Sequence, residues 1–138
     1  MSASALIAST SVSRKASSLP RTTIVVGLAA AGIVTVAAAL LHAVGVSFEV
    51  DAEMIPLLGF AQLTFVGAVI GGVLLAVLNR RSATPSRRFV QIVVTLTALS
   101  CVPSVAMSDD MATKVALVAL HVLAAAIIVP VLLRRAND

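Results

Sequence analysis

The chain has 138 residues, 59% of them hydrophobic, and a mean hydropathy of +1.09, which is more apolar surface than a water-soluble domain of that length can bury. Its net charge is +4, but the basic residues are dispersed and have no aromatics interleaved, which argues against a nucleic-acid surface and leaves no nucleic acid among the expected partners. A single cysteine, Cys101, excludes an intramolecular disulfide and any two-cysteine redox motif.

Residues 1–20 are rich in Ser and Ala, with Arg14 and Lys15 their only charges. A signal peptide places its bases before the apolar stretch and ends at a small-residue cleavage site, so this segment reads as a flexible cytoplasmic tail ahead of an uncleaved helix. Four apolar runs follow, at about residues 22–46, 54–78, 89–107 and 115–133. Each is close to the roughly 20 residues a helix needs to cross the hydrocarbon core. They define one domain, residues 21–135, and leave residues 136–138 as a C-terminal tail. The fold class expected is all-α, an integral membrane four-helix bundle.

Within the first run Gly27, Ala31, Thr35, Ala39 and Ala43 recur every fourth residue, and Gly67 and Gly71 repeat the spacing in the second. Stripes of small residues let helix backbones approach where lipid provides no hydrophobic drive, either inside the bundle or on a dimer face. Pro56 is expected in the first turn of the second helix and Pro85 in a short turn. Pro103 and Pro130 are expected to end or bend the third and fourth helices. With neither Trp nor Tyr present, arginines and Phe48, Phe60, Phe65 and Phe89 are left to anchor depth.

The charges between the runs alternate in sign. Arg14, Lys15 and Arg21 precede the first run, Arg80, Arg81, Arg87 and Arg88 separate the second and third, and Arg134 and Arg135 follow the fourth. Glu49, Asp51, Glu53, Asp109 and Asp110 occupy the other two connections, where Lys114 is the single base. Cytoplasmic loops retain Lys and Arg, so the expected topology is N-in/C-in, in the cell (inner or plasma) membrane, with the acidic connections outside.

Polar side chains inside spans are costly and mark candidate sites. Counted from the acidic ends, Gln62, Ser100 and His121 lie about eight residues deep, roughly 12 Å, and His42 and Ser104 about a turn nearer the surface. This shared level suggests a polar pocket in the outer half of the bundle. His121, His42 and Asp109 are its candidate catalytic groups, since imidazole beside a carboxylate can exchange protons near neutrality. Gln62, Ser100 and Ser104 are its candidate substrate-binding groups. No metal or cofactor is expected: there is no Cys/His cluster and no Gly-rich phosphate loop.

Some of these residues carry a family resemblance. Ala112-Thr113-Lys114 opens the fourth run, which continues Leu120-His121-Val122-Leu123-Ala124-Ala125-Ala126-Ile127-Ile128-Val129-Pro130; Arg87-Arg88-Phe89 ends the basic connection, and Leu99-Ser100 and Pro103 lie in the third run. Over residues 21–135 this resembles the small four-span actinobacterial membrane proteins grouped as DUF6069. The resemblance implies a four-span fold, directs attention to His121 and implies no activity. The family's third-helix pattern often carries an acid after the proline, where Ser104 stands here.

Three functions follow as expectations. The first is binding of a lipid, an apolar small molecule or a membrane partner (a subunit or a second copy of the chain) through the outer pocket. The second is a membrane isomerase or cyclase on an apolar substrate with His acid/base chemistry. The third is an oligomeric transporter or channel, which the absence of carboxylates within the spans disfavours.

Overall fold

The computed structural model describes residues 3–137 of the chain, with side chains from residue 19 onward. Helix α1 runs Ala3–Ala43, and its apolar span is Leu19–Ala43. The side chains of Arg14 and Lys15, and residue 138 of the expected C-terminal tail, lie outside the described residues.

Gly45 ends α1. Its φ of 105° suits a residue without a β-carbon, the Gly45 amide donates to the His42 carbonyl (3.0 Å) and the Val46 amide to the Leu41 carbonyl (3.1 Å). That pair of bonds is a Schellman closure, and the Val46 side chain beyond it is buried beside Leu41. The first span therefore stops three residues short of the 46 expected.

A two-stranded antiparallel hairpin follows, β1 (Glu49–Val50) and β2 (Glu53–Met54), with Val50 opposite Glu53. Its loop residues Asp51 and Ala52 have φ of 53° and 62°, the positive values of a type I′ turn. Asp and Ala stand where Asn-Gly is the usual choice, so sequence pattern gave no hairpin signal. The Asp51 amide reaches the Met107 carbonyl (3.4 Å), which ties the hairpin to the end of the third helix.

Helix α2 spans Leu57–Arg81, α3 Pro85–Met107 and α4 Met111–Asn137. All four helices are long and apolar enough to cross a membrane. Pro56 is the N-cap of α2 rather than part of its first turn, and Pro85 opens α3 at its first turn rather than lying in a connecting turn. Pro103 and Pro130 stand inside their helices, and neither ends one.

The helices α2 and α4 form the middle of the bundle, with α1 packed on one side of them and α3 on the other. Two buried clusters result. Near the hairpin, Phe48 and Phe60 meet edge to face at 5.1 Å between Val34, Ala38 and Leu117. Near the arginines, Phe89 and Leu75 pack with Ala30, Ala68 and Leu132. Phe48, Phe60 and Phe89 are thus core residues, not interfacial anchors; their rings fill space between the elements, held by close packing rather than by expulsion from lipid.

Small residues bring α1 and α2 together. A β-carbon at Gly27 would come within 3.0 Å of the Ala68 Cβ, and one at Gly72 would overlap the Thr23 side chain. The Gly67/Gly71 stripe expected to pack does not serve this contact. A β-carbon at Gly67 would meet nothing within 4 Å, and one at Gly71 would make only ordinary contacts. Among the described side chains of α3, Phe89 alone is buried, so this helix is held at its arginine end and stands off from the bundle along much of its length.

Candidate functional site

That stand-off creates a cavity of about 420 Å³ between α2, α3 and α4. One face of each helix builds it. On α2 the lining positions are Phe60, Leu63, Thr64, Gly67 and Gly71, spaced at three and four residues. On α4 the same spacing presents Leu117, Leu120, His121, Ala124, Ala125 and Ile128. Thr97 and Ser104, seven residues apart on α3, share a face with Val93. Val50 of the hairpin and Ile55 just after it, with Met107, form one end, and Phe89 and Val129 lie toward the other.

The lining is apolar apart from Thr64, Thr97, Ser104 and His121. His121 Nδ1 lies 2.7 Å from the Leu117 carbonyl oxygen. A carbonyl only accepts, so Nδ1 carries the proton and donates it, and in the neutral ring Nε2 is left as an acceptor. The bond holds the imidazole against its own helix and fixes its tautomer.

Of the sequence-derived candidates, His121 and Ser104 therefore line one cavity. The other four stand elsewhere. His42 is exposed in the last turn of α1, where its Nδ1 donates to the Val46 carbonyl at 2.9 Å and supports the Schellman closure. Gln62 is exposed on α2, and Ser100 is exposed on α3 with its hydroxyl donating to the Thr97 carbonyl at 2.8 Å. Asp109 is exposed in the connection between α3 and α4. Among the described residues no three His, Cys, Asp or Glu side chains come together as a metal would require.

Asp110, one of the acids of the last connection, caps α4. Its carboxylate accepts from the Thr113 hydroxyl (3.0 Å), the Thr113 amide (3.1 Å) and the Ala112 amide (3.3 Å). The Thr113 hydroxyl bond first, then the Thr113 amide, hold this carboxyl below its usual pKa against a smaller opposing effect of burial. Thr113 is fully buried and its hydroxyl also lies 3.3 Å from the Ser47 hydroxyl, so the cap links the loop after α1 to the start of α4. Thr64 was missed as a candidate; its place four residues after Phe60 and three before Gly67, on the face that carries the glycines, is the signal that would have found it.

Four apolar spans around a largely apolar cavity make this a multi-pass helical membrane protein. A family model matches residues 14–138, and the chain belongs to that family, the family of unknown function DUF6069. No curated protein and no solved structure matches it.

Proposed function

We propose that this membrane protein binds a lipid or another apolar small molecule in the cavity between α2, α3 and α4. The carrying observation is the cavity: about 420 Å³, apolar over most of its wall, with four hydrogen-bonding side chains. Ligand sites have this composition, apolar walls with a few polar groups that fix orientation. The charge alternation supports a topology with both termini cytoplasmic and the hairpin outside, in the cell membrane.

Native mass spectrometry of the protein released from nanodiscs tests this reading. A retained small-molecule adduct is expected on the wild type and is expected to be lost in Gly67→Phe, whose β-carbon has nothing within 4 Å and whose ring would occupy the cavity, with unchanged thermal unfolding as the check on its fold. An adduct unchanged by Gly67→Phe places the ligand elsewhere, and no adduct, with no binding of added alkyl ligands, removes the proposal. If the bound molecule is chemically converted, and conversion but not binding is lost in His121→Ala, the enzyme reading replaces simple binding. Co-purification of a second polypeptide through another face supports the subunit reading instead.

A further inference from the structure

The cavity's two halves differ, and the difference selects a ligand. Resting on the binding role proposed above, we infer that the ligand is a single-chain amphiphile whose head donates a hydrogen bond and carries no negative charge, a long-chain alcohol or primary amine, lying with its head toward the hairpin and its tail toward Phe89.

Orientation follows from the order of residues along each helix. On α2 Thr64 precedes Gly67 and Gly71; on α4 His121 precedes Ala125 and Ile128; on α3, which runs the opposite way, Thr97 and Ser104 follow Val93. Thr64, Ser104 and His121 thus lie toward the hairpin end of the stretches that line the cavity, and Thr97 lies near the middle of its own. From His121 to Val129 is eight residues, roughly 12 Å of helix with an apolar wall, which suits an alkyl chain. The volume is toward the lower end of the range for ligand pockets, about 300–1,000 Å³, and favours one chain over two.

The head's chemistry follows from His121. Its one N–H is committed to the Leu117 carbonyl, so the neutral ring presents an acceptor at Nε2. A hydroxyl or ammonium satisfies that nitrogen, whereas a carboxylate brings lone pairs to a lone pair. Thr64, Thr97 and Ser104 can accept or donate and complete the head's remaining bonds. Charge points the same way. No Lys or Arg lines the cavity. The connections at the hairpin end carry Glu49, Asp51, Glu53, Asp109 and Asp110 against Lys114, while the described arginines stand at the opposite end. An anionic head would lie beneath a mostly acidic end of the bundle and find no Lys or Arg on the cavity wall to pair with.

The test uses four ligands of equal chain length, dodecanol, dodecylamine, dodecyltrimethylammonium and dodecanoate. Each competes with a fluorescent alkyl probe for the full chain in nanodiscs at about pH 8.5, where imidazole is neutral and carboxylic acids are ionised. Dodecanol and dodecylamine are expected to displace the probe. Dodecyltrimethylammonium, which has no donor, and dodecanoate are expected to be weaker by about tenfold or more, the effect of leaving a buried acceptor unpaired. In His121→Phe the preference for a donating head is expected to disappear while the probe still binds. Dodecanoate displacing the probe as well as dodecanol overturns the headgroup inference and leaves the cavity reading standing. A probe that binds wild type and Gly67→Phe alike, or none of the four competing, overturns both.

Discussion

Gly72 of α2 faces Thr23 of α1 so closely that a β-carbon at position 72 would overlap the threonine hydroxyl, which is itself held by donating to the Leu19 carbonyl at 2.9 Å. The contact sets the spacing of the two helices near their arginine ends. Gly72→Ala should force them apart and destabilise the bundle by about 1–3 kcal/mol, the usual cost of overpacking. Thr23→Ala removes the overlapping Oγ1 and Cγ2 and should recover part of that loss in the double variant. Thermal unfolding in one detergent checks both; additive losses would contradict the contact.

The hairpin turn predicts a gain. Ala52 has a φ of 62°, a region that disfavours residues with a β-carbon by roughly 1–2 kcal/mol. Ala52→Gly should stabilise the protein by up to about 1 kcal/mol after glycine's extra chain entropy is subtracted. Gly45→Ala should do the reverse by a similar amount, about 1 kcal/mol, because the Schellman closure needs positive φ there.

Asp110 predicts an acid-sensitive helix start. Its folded pKa is lowered from 3.8 by bonds to the charged form, so the stability it contributes is complete above the unfolded pKa and is lost as pH falls through the folded one. Asp110→Ala should lower stability at neutral pH and flatten this part of the acid dependence. Thr113→Val, which keeps the amide bond but removes the hydroxyl one, should shift the transition to higher pH. Unfolding followed between about pH 2 and 6 reads the effect; an unshifted profile in Thr113→Val would count against the cap.

Topology is checked by cysteine labelling in a Cys101→Ala background. A membrane-impermeant maleimide added to intact cells should label Asp51→Cys and spare Thr84→Cys until the membrane is opened. The reverse pattern would invert the assigned orientation.

The four helices were legible because charge and hydropathy alternate on the scale of a span, and the bilayer leaves few other solutions. The site was legible in depth but not in direction. Gln62 is level with the cavity, yet it lies two residues from both Phe60 and Thr64, and so faces away from the wall they form by about 160°. Ser100 lies seven residues from both Val93 and Met107, within about 20° of the lining face, yet it is exposed with its hydroxyl turned to the Thr97 carbonyl. Level matching carries no information about rotation; the three- and four-residue spacing that includes Gly67 and Gly71 does, but small residues read equally well as packing. The helix ends were displaced by local chemistry that hydropathy does not register, Gly45 at one end of α1 and Pro85 at the start of α3.

A long-chain alcohol with a diazirine at its tail end tests the central claim most directly, by photolysis with the protein in nanodiscs and mapping of the labelled residues. Label is expected on the cavity wall near Val93, Ala125 and Val129, suppressed by excess dodecanol and absent in Gly67→Phe. Label confined to outward-facing residues such as Val36 and Val94, and indifferent to competitor, would contradict a ligand held between α2, α3 and α4.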